Sequence, residues 1–337
     1  MAQDLVLKLG PDGARFDFGP DFDRLSDELD ALADRYESEQ LKPARYVTAL
    51  REFITRHPEH IEASAHLALA LLDQDKPRQA LEAALRGFKL GEKAIAPDFR
   101  GAIDWRHDSN RSFLLVADAL ARAHVAVGEH REAVAVMERM RGWNPGDQQG
   151  VGLRIGALYL RTGEKEKARA AFEEALAQDG TAHYELGLLH LIEGDRVAAA
   201  TALRRAFVAT PYVAEALCGA MEIEPFVTGD SLDDVDHAVD YAMAEAELWT
   251  RTDDALAFLN WLYHHPRAML ERAAILDLRD QRYWEKDMTA RDALERREEA
   301  LLAAIDDALS QELVKPREDQ SGRTVLPWMI APRGAQG

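Results

Sequence analysis

The stretch Phe113 to Pro211 repeats itself, and this constrains the fold more than any other feature. Ala121, Gly156 and Gly187 align, preceded by Leu120, Ile155 and Leu186 and followed three residues later by His124, Tyr159 and His190. Gly128, Gly163 and Gly194 form a turn column. Ala133, Ala168 and Ala199 open a second segment, which continues through Met137, Phe172 and Leu203 to Met140, Ala175 and Ala206, and Pro145, Gly180 and Pro211 close the units. Within each segment apolar and small residues recur at steps of three and four, the spacing of a helix with one buried stripe. Glycine in the turn takes positive φ at low cost. A helical pair cannot bury its stripe alone, so the units must stack, and the spacings of 35 and then 31 residues are those of a solenoid.

These residues resemble the tetratricopeptide repeat family. The likeness rests on Leu120-Ala121, His124, Gly128, Ala133, Met137, Met140 and Pro145 with their counterparts in the next two units. A weaker copy lies around Leu67-Ala68, Leu71, Asp75, Ala80, Ala84 and Gly87. The family's early first-helix aromatic is replaced by Ser64, Ala117, Gly152 and His183, and the loop Asn144 to Gly150 resembles an NPGDNQG-type loop of one subgroup. The resemblance implies an all-α solenoid of antiparallel helix pairs, whose first helices line a concave face that grips a peptide or helix. Mapped onto this chain, Asp118, Arg122, Arg154, Ala157, Arg161, Tyr184, Glu185 and Leu188 point into that groove. The Lys/Asn clamp of chaperone-tail binders is not visible, so that ligand is not carried over.

The formal charge of −19 disfavours nucleic acid, because phosphate binding needs clustered Lys and Arg, and it disfavours anionic membranes equally. Arg122, Arg154 and Arg161 would form a local basic stripe suited to a carboxylate-bearing partner; the alternative is a solvated face with the arginines paired to Asp118 and Glu185. Cys218 is the single cysteine, expected on a buried helix as a small hydrophobe, so neither an intramolecular disulfide nor a zinc finger can form. The first residues lack a secretion signal, no run is long enough to span a membrane, and a cytoplasmic protein is expected.

In order along the chain, residues 1–20 read as a hairpin around Gly10-Pro-Asp-Gly13, or else a ragged terminus. Residues 21–60 form a degenerate helical pair, and 61–222 the repeats with an insertion at 91–112. Residues 223–315 are a helical cap in which Ser231 to Asp234 offers a capping box, and 316–337 a tail. In the cap, Leu294, Leu301, Leu302, Ile305, Leu309 and Leu313 share a stripe able to pair across a homodimer. Thr324 to Ile330 either docks on another protein or folds back on the chain's own hairpin. The insertion holds Trp105, Arg106, His107, Asn110 and Arg111, either a recognition loop with arginines clamping a carboxylate or a loop pinned by Trp105 with its charges paired internally.

His124 and His190 occupy a packing column and are expected as interhelical core residues, and no HExxH, GxSxG or Walker loop is present. No metal, cofactor or catalytic residue is therefore expected. The expected function is a non-catalytic protein–protein adaptor or regulator. The alternatives are a structural homo-oligomer held by the C-terminal helices and tail, and an enzyme using the Trp105–Arg111 loop.

Overall fold

The computed structural model describes residues 5–10, 13–220, 222–226, 232–318 and 321–329. Among these are sixteen α-helices and a two-stranded N-terminal hairpin, an all-α, tetratricopeptide-like arrangement of helix pairs. The chain forms two compact units, Met1–Gly163 and Glu164–Gly337.

In the N-terminal unit, β1 (Val6–Gly10) and β2 (Gly13–Asp17) pair antiparallel with Leu7 opposite Phe16 and Leu9 opposite Ala14. The turn residues Pro11 and Asp12 lie outside the described residues. Strand alternation turns Ala14 and Phe16 inward, where both are buried. A lone hairpin is marginal in water, so what it rests on matters. The Phe16 ring lies 4.8 Å from Phe113, and the Ala14 amide donates to the Ala102 carbonyl at 2.9 Å.

The helices that follow are α1 (Phe22–Glu37), α2 (Pro43–Arg56), α3 (Glu62–Leu72), α4 (Pro77–Glu92), α5 (Asp108–Ala126), α6 (His130–Trp143) and α7 (Val151–Thr162). Pro43 and Pro77 open their helices where an amide would have no intrahelical partner. The core runs through Phe88, Phe113 and Trp143, with Phe113 5.5 Å from Phe88 and 5.2 Å from Trp143. A Cβ on Gly91 would sit 2.4 Å from the Phe113 ring, so α4 approaches α5 only because glycine is there. Gly128 and Gly163 have φ of +81° and +85°, as a left-handed turn column requires. Asp75 in the weaker copy adopts φ +54° without glycine's freedom.

His60 is buried, its ring centroid 5.5 Å from those of Phe22 and Phe53, with Nε2 3.2 Å from Ser26 Oγ. Burial pushes its pKa down to about 4. A histidine depressed in the folded state contributes full stability above the unfolded value of about 6.5 and loses it as pH falls toward 4. His60 alone therefore costs about 2 kcal/mol between pH 7.5 and pH 5. Urea midpoints should fall over that interval, and less so for His60→Phe; equal falls in both proteins would remove His60 as the cause.

The C-terminal unit contains α8 (Lys165–Ala175), α9 (Ala182–Glu193), α10 (Arg196–Ala209), α11 (Pro211–Leu217), α12 (Leu232–Arg251), α13 (Ala255–Tyr263), α14 (Pro266–Trp284), α15 (Met288–Ala303) and α16 (Asp307–Val314). Helix α10 is its centre, packed by α9, α11, α13, α14 and α16. Its approach to α9 needs Gly187, where a Cβ would meet Leu203 at 2.7 Å. Ser231, expected to open a capping box, lies outside the described residues.

Three expectations are corrected here. The stripe from Leu294 to Leu313 does not run along one helix. The chain turns at Glu285–Asp287 and again at Ala304–Asp306, where Asp287 and Asp306 cap the next helices through the amides of Ala290 and Ala308. Ile305 and Leu313 are buried, whereas Leu301 is exposed. Cys218 ends α11 exposed rather than buried, because that helix is only seven residues long and its last turn leaves the core. The tail folds back, but on α13: the Trp328 ring lies 4.8 Å from Phe258 and 5.6 Å from Trp261, beneath the Arg196 guanidinium. Trp328 is buried there, while Thr324 and Met329 stay exposed; Ile330 lies outside the described residues.

Candidate functional site

The expected groove residues meet different fates. In the C-terminal unit, Tyr184, Glu185 and Leu188 are buried. Tyr184 Oη donates to the Thr210 carbonyl at 3.0 Å, and Tyr241 Oη on α12 donates to Glu185 Oε1 at 2.7 Å. Val235, Ala238, Tyr241 and Trp249 of α12 share one core with Tyr184 and Leu188. The chain's own α12 thus takes the place expected for a partner on α9, and Glu185 answers a tyrosine rather than an arginine.

In the N-terminal unit, Asp118 on α5 is buried and binds two arginines, Arg122 Nε at 2.7 Å and Arg154 Nη2 at 2.5 Å. Arg122 is four residues along the same helix, so helical spacing brings the pair together, and it remains exposed. Ala157 is buried, and Arg161 is half-buried and already engaged within the chain.

The loop Asn144–Gly150 explains how Arg154 is aimed. Asp147, at φ +46°, accepts from the Val151 amide at 2.7 Å and the Gly152 amide at 2.8 Å. It thereby satisfies two of the open donors at the start of α7 and complements the positive end of its dipole. Gln149 then lies over α5, its Nε2 3.3 Å from the Leu114 carbonyl, while its own carbonyl accepts from Arg154 Nη2 at 3.3 Å. Two polar atoms at this junction, Arg154 Nη1 and Gln149 Oε1, are buried with no hydrogen-bond partner. Gln149 was not singled out from sequence. Its only signal there is its place in the loop just before α7.

Within Asp104–Arg111 the two arginines are engaged inside the loop. Arg106 Nη2 pairs with Asp104 at 2.6 Å, and these bonds hold the Asp104 carboxyl down to about 2. Arg111 binds the Trp105 carbonyl at 3.0 Å and Asp108 at 3.1 Å, and its guanidinium lies 5.7 Å from the Trp105 ring. Asn110 is buried. Its Oδ1 accepts from the Phe16 amide at 3.0 Å, and its Nδ2 donates to the carbonyls of Ala14 at 2.9 Å and Asp104 at 3.0 Å. A side-chain amide thus acts as a short strand beside β2, and His107 accepts the Asn110 amide at 2.8 Å. In this way Asn110 clamps the hairpin. Beside it a cavity of about 720 Å³ is lined by residues including Lys93, Phe99, Arg100, Arg139 and Trp143.

The histidines expected in the core are half-buried. His124 Nδ1 lies 2.7 Å from Glu129, and His190 Nδ1 lies 3.9 Å from Glu193; the ends of their helices leave room for the carboxylates. Burial lowers the pKa of His183 to about 4. Among the described residues no three His, Cys, Asp or Glu side chains group so as to hold a metal ion, and no helix is long and apolar enough to cross a membrane.

No match was found among curated proteins. The family model described as Tetratricopeptide repeat matches residues 153–181, which span α7, the Gly163 turn and α8. This match supports a tetratricopeptide repeat assignment for that stretch, and the helix pairs, the positive-φ glycine column and the close approach at Gly187 agree with it.

Proposed function

We propose that the chain is a non-catalytic protein–protein interaction adaptor or regulator that holds a carboxylate-bearing partner segment on α5 and α7. Tetratricopeptide repeats typically bind protein partners and are generally non-catalytic, which supports the class. The observation that carries the site is the arginine pair at the α5–α7 junction, exposed Arg122 and half-buried Arg154, gathered on the buried Asp118 carboxylate. A partner carboxylate accepts from exposed Arg122, with the positive charge of Arg154 beside it. This is the pattern of a peptide segment read by its charge. Asp118 holds both arginines in place, so the positive charge is pre-aimed and little side-chain freedom is lost on binding.

Affinity capture with wild type beside Arg154→Ala and Arg122→Ala tests this, followed by calorimetry on a synthetic peptide from the recovered partner. Arg122→Ala should weaken binding at least about tenfold, as loss of a charge-assisted hydrogen bond does, Arg154→Ala should weaken it by lost charge, and added salt should weaken the wild type too. A partner bound equally by wild type and a folded double variant excludes this face.

A further inference from the structure

Helices α14 and α15 form a helical hairpin within the C-terminal unit. The inner side of α14 buries Ala268, Ile275 and Leu278. On α15 the one buried residue is Glu298, held by Arg279 at 2.6 Å and Arg282 at 3.3 Å. The outer side carries Tyr283, Trp284 and Met288 at 55%, 67% and 66% exposure. Single apolar side chains on a surface are ordinary, but three large ones within six residues are not. They are also the residue types enriched at interface centres. Beside Trp284, between the two helices, runs a groove of about 700 Å³ whose apolar wall is Ala290, Ala293 and Leu294.

We propose that this hairpin is a docking surface for a second copy of this chain, with Trp284 of each copy entering the Ala290–Ala293–Leu294 groove of the other. Knob and groove belong to one patch, so a two-fold axis satisfies both at once and the contact closes at a dimer. Two helical hairpins packed face to face make a four-helix bundle, in which small residues admit a large neighbour. Charge selects the partner. Two copies of a chain at −19 repel on average, yet the charged groups lining this groove are Asp280 and Glu285 against Lys286 and Arg297, which balance. None of the Asp280, Lys286 and Arg297 side chains forms an ion pair within the chain among the described residues. An isologous contact sets Asp280 of one copy against Arg297 of the other, whereas a strongly acidic or basic partner meets no net field.

Sedimentation equilibrium of the full chain tests the proposal, under reducing conditions because Cys218 is exposed, from low micromolar to about 200 µM. The expected mass rises from 37.7 kDa toward twice that value. Trp284→Glu should raise the dissociation constant at least about 30-fold, the size of an interface hot spot, with an unchanged circular dichroism spectrum. Arg297→Asp should weaken the dimer, and Arg297→Asp/Asp280→Arg should restore it, which decides the matter even if the tryptophan variant misfolds. A mass fixed at 37.7 kDa throughout overturns the proposal. So does self-association that these variants leave unchanged.

Discussion

Glu271→Ala is expected to destabilise the C-terminal unit by about 3–5 kcal/mol, because it strands a buried guanidinium. Arg204 on α10 is buried, and its Nε and Nη2 bind the two Glu271 oxygens at 2.8 and 2.5 Å. Nη1 donates to the Asp306 carbonyl and to Ser310 Oγ, each at 2.8 Å. Ser310 in turn lies 2.8 Å from the Thr201 hydroxyl, which donates to Asp307 at 2.6 Å. One arginine therefore ties α14 and α16 to α10, and Arg205 adds a bond to the Ile305 carbonyl at 2.9 Å. The pair itself is weak evidence of net stabilisation, since desolvation consumes much of its attraction. Removing one partner is different, because the other charge stays buried. The double replacement Arg204→Met/Glu271→Leu should thus recover most of the loss. Urea midpoints and amide exchange in α16 read both outcomes; a single variant losing under about 1 kcal/mol would falsify the account, being the size of a surface pair.

Asn110→Ala is expected to lower the stability of the N-terminal unit by about 3 kcal/mol, since it leaves the Phe16 amide and two carbonyls short of a partner. Asn110→Asp separates this from a size effect. It keeps the acceptor for the Phe16 amide but turns the donor facing Ala14 and Asp104 into an oxygen, setting a carboxylate against two carbonyls. The near-isosteric change should therefore be at least as damaging as alanine. Hydrogen exchange at Phe16 should accelerate in both variants, together with the rest of the hairpin. Unaltered protection with aspartate would show that Phe16 packing on Phe113 holds the hairpin unaided.

The repeat frame was legible because its causes are local. A glycine that must take positive φ, a small residue where helices touch and apolar steps of three and four show in a single strand of text, and Gly128, Gly163, Gly187 and Gly194 each have that role. The Asp118–Arg122 pair was legible for the same reason, lying one helical turn apart. Asn110 was legible as a cluster member but not as a clamp, because its partners lie 94 and 96 residues away on a strand edge. Trp328 likewise declared itself as too apolar for water, while its seat on α13 did not.

The sequence by itself determined the helices, their turns and the stacking of pairs, since each follows from backbone freedom and the helical period within some thirty-five residues. Tertiary structure alone decided which helix faces stay open. Tyr184, Glu185 and Leu188 have the composition of a ligand-facing stripe, yet α12, beginning more than forty residues later, covers them with Tyr241. Trp284 has the composition of a core residue and remains in water. Exposure belongs to the pair of surfaces that meet, and a helix pattern specifies only one of them.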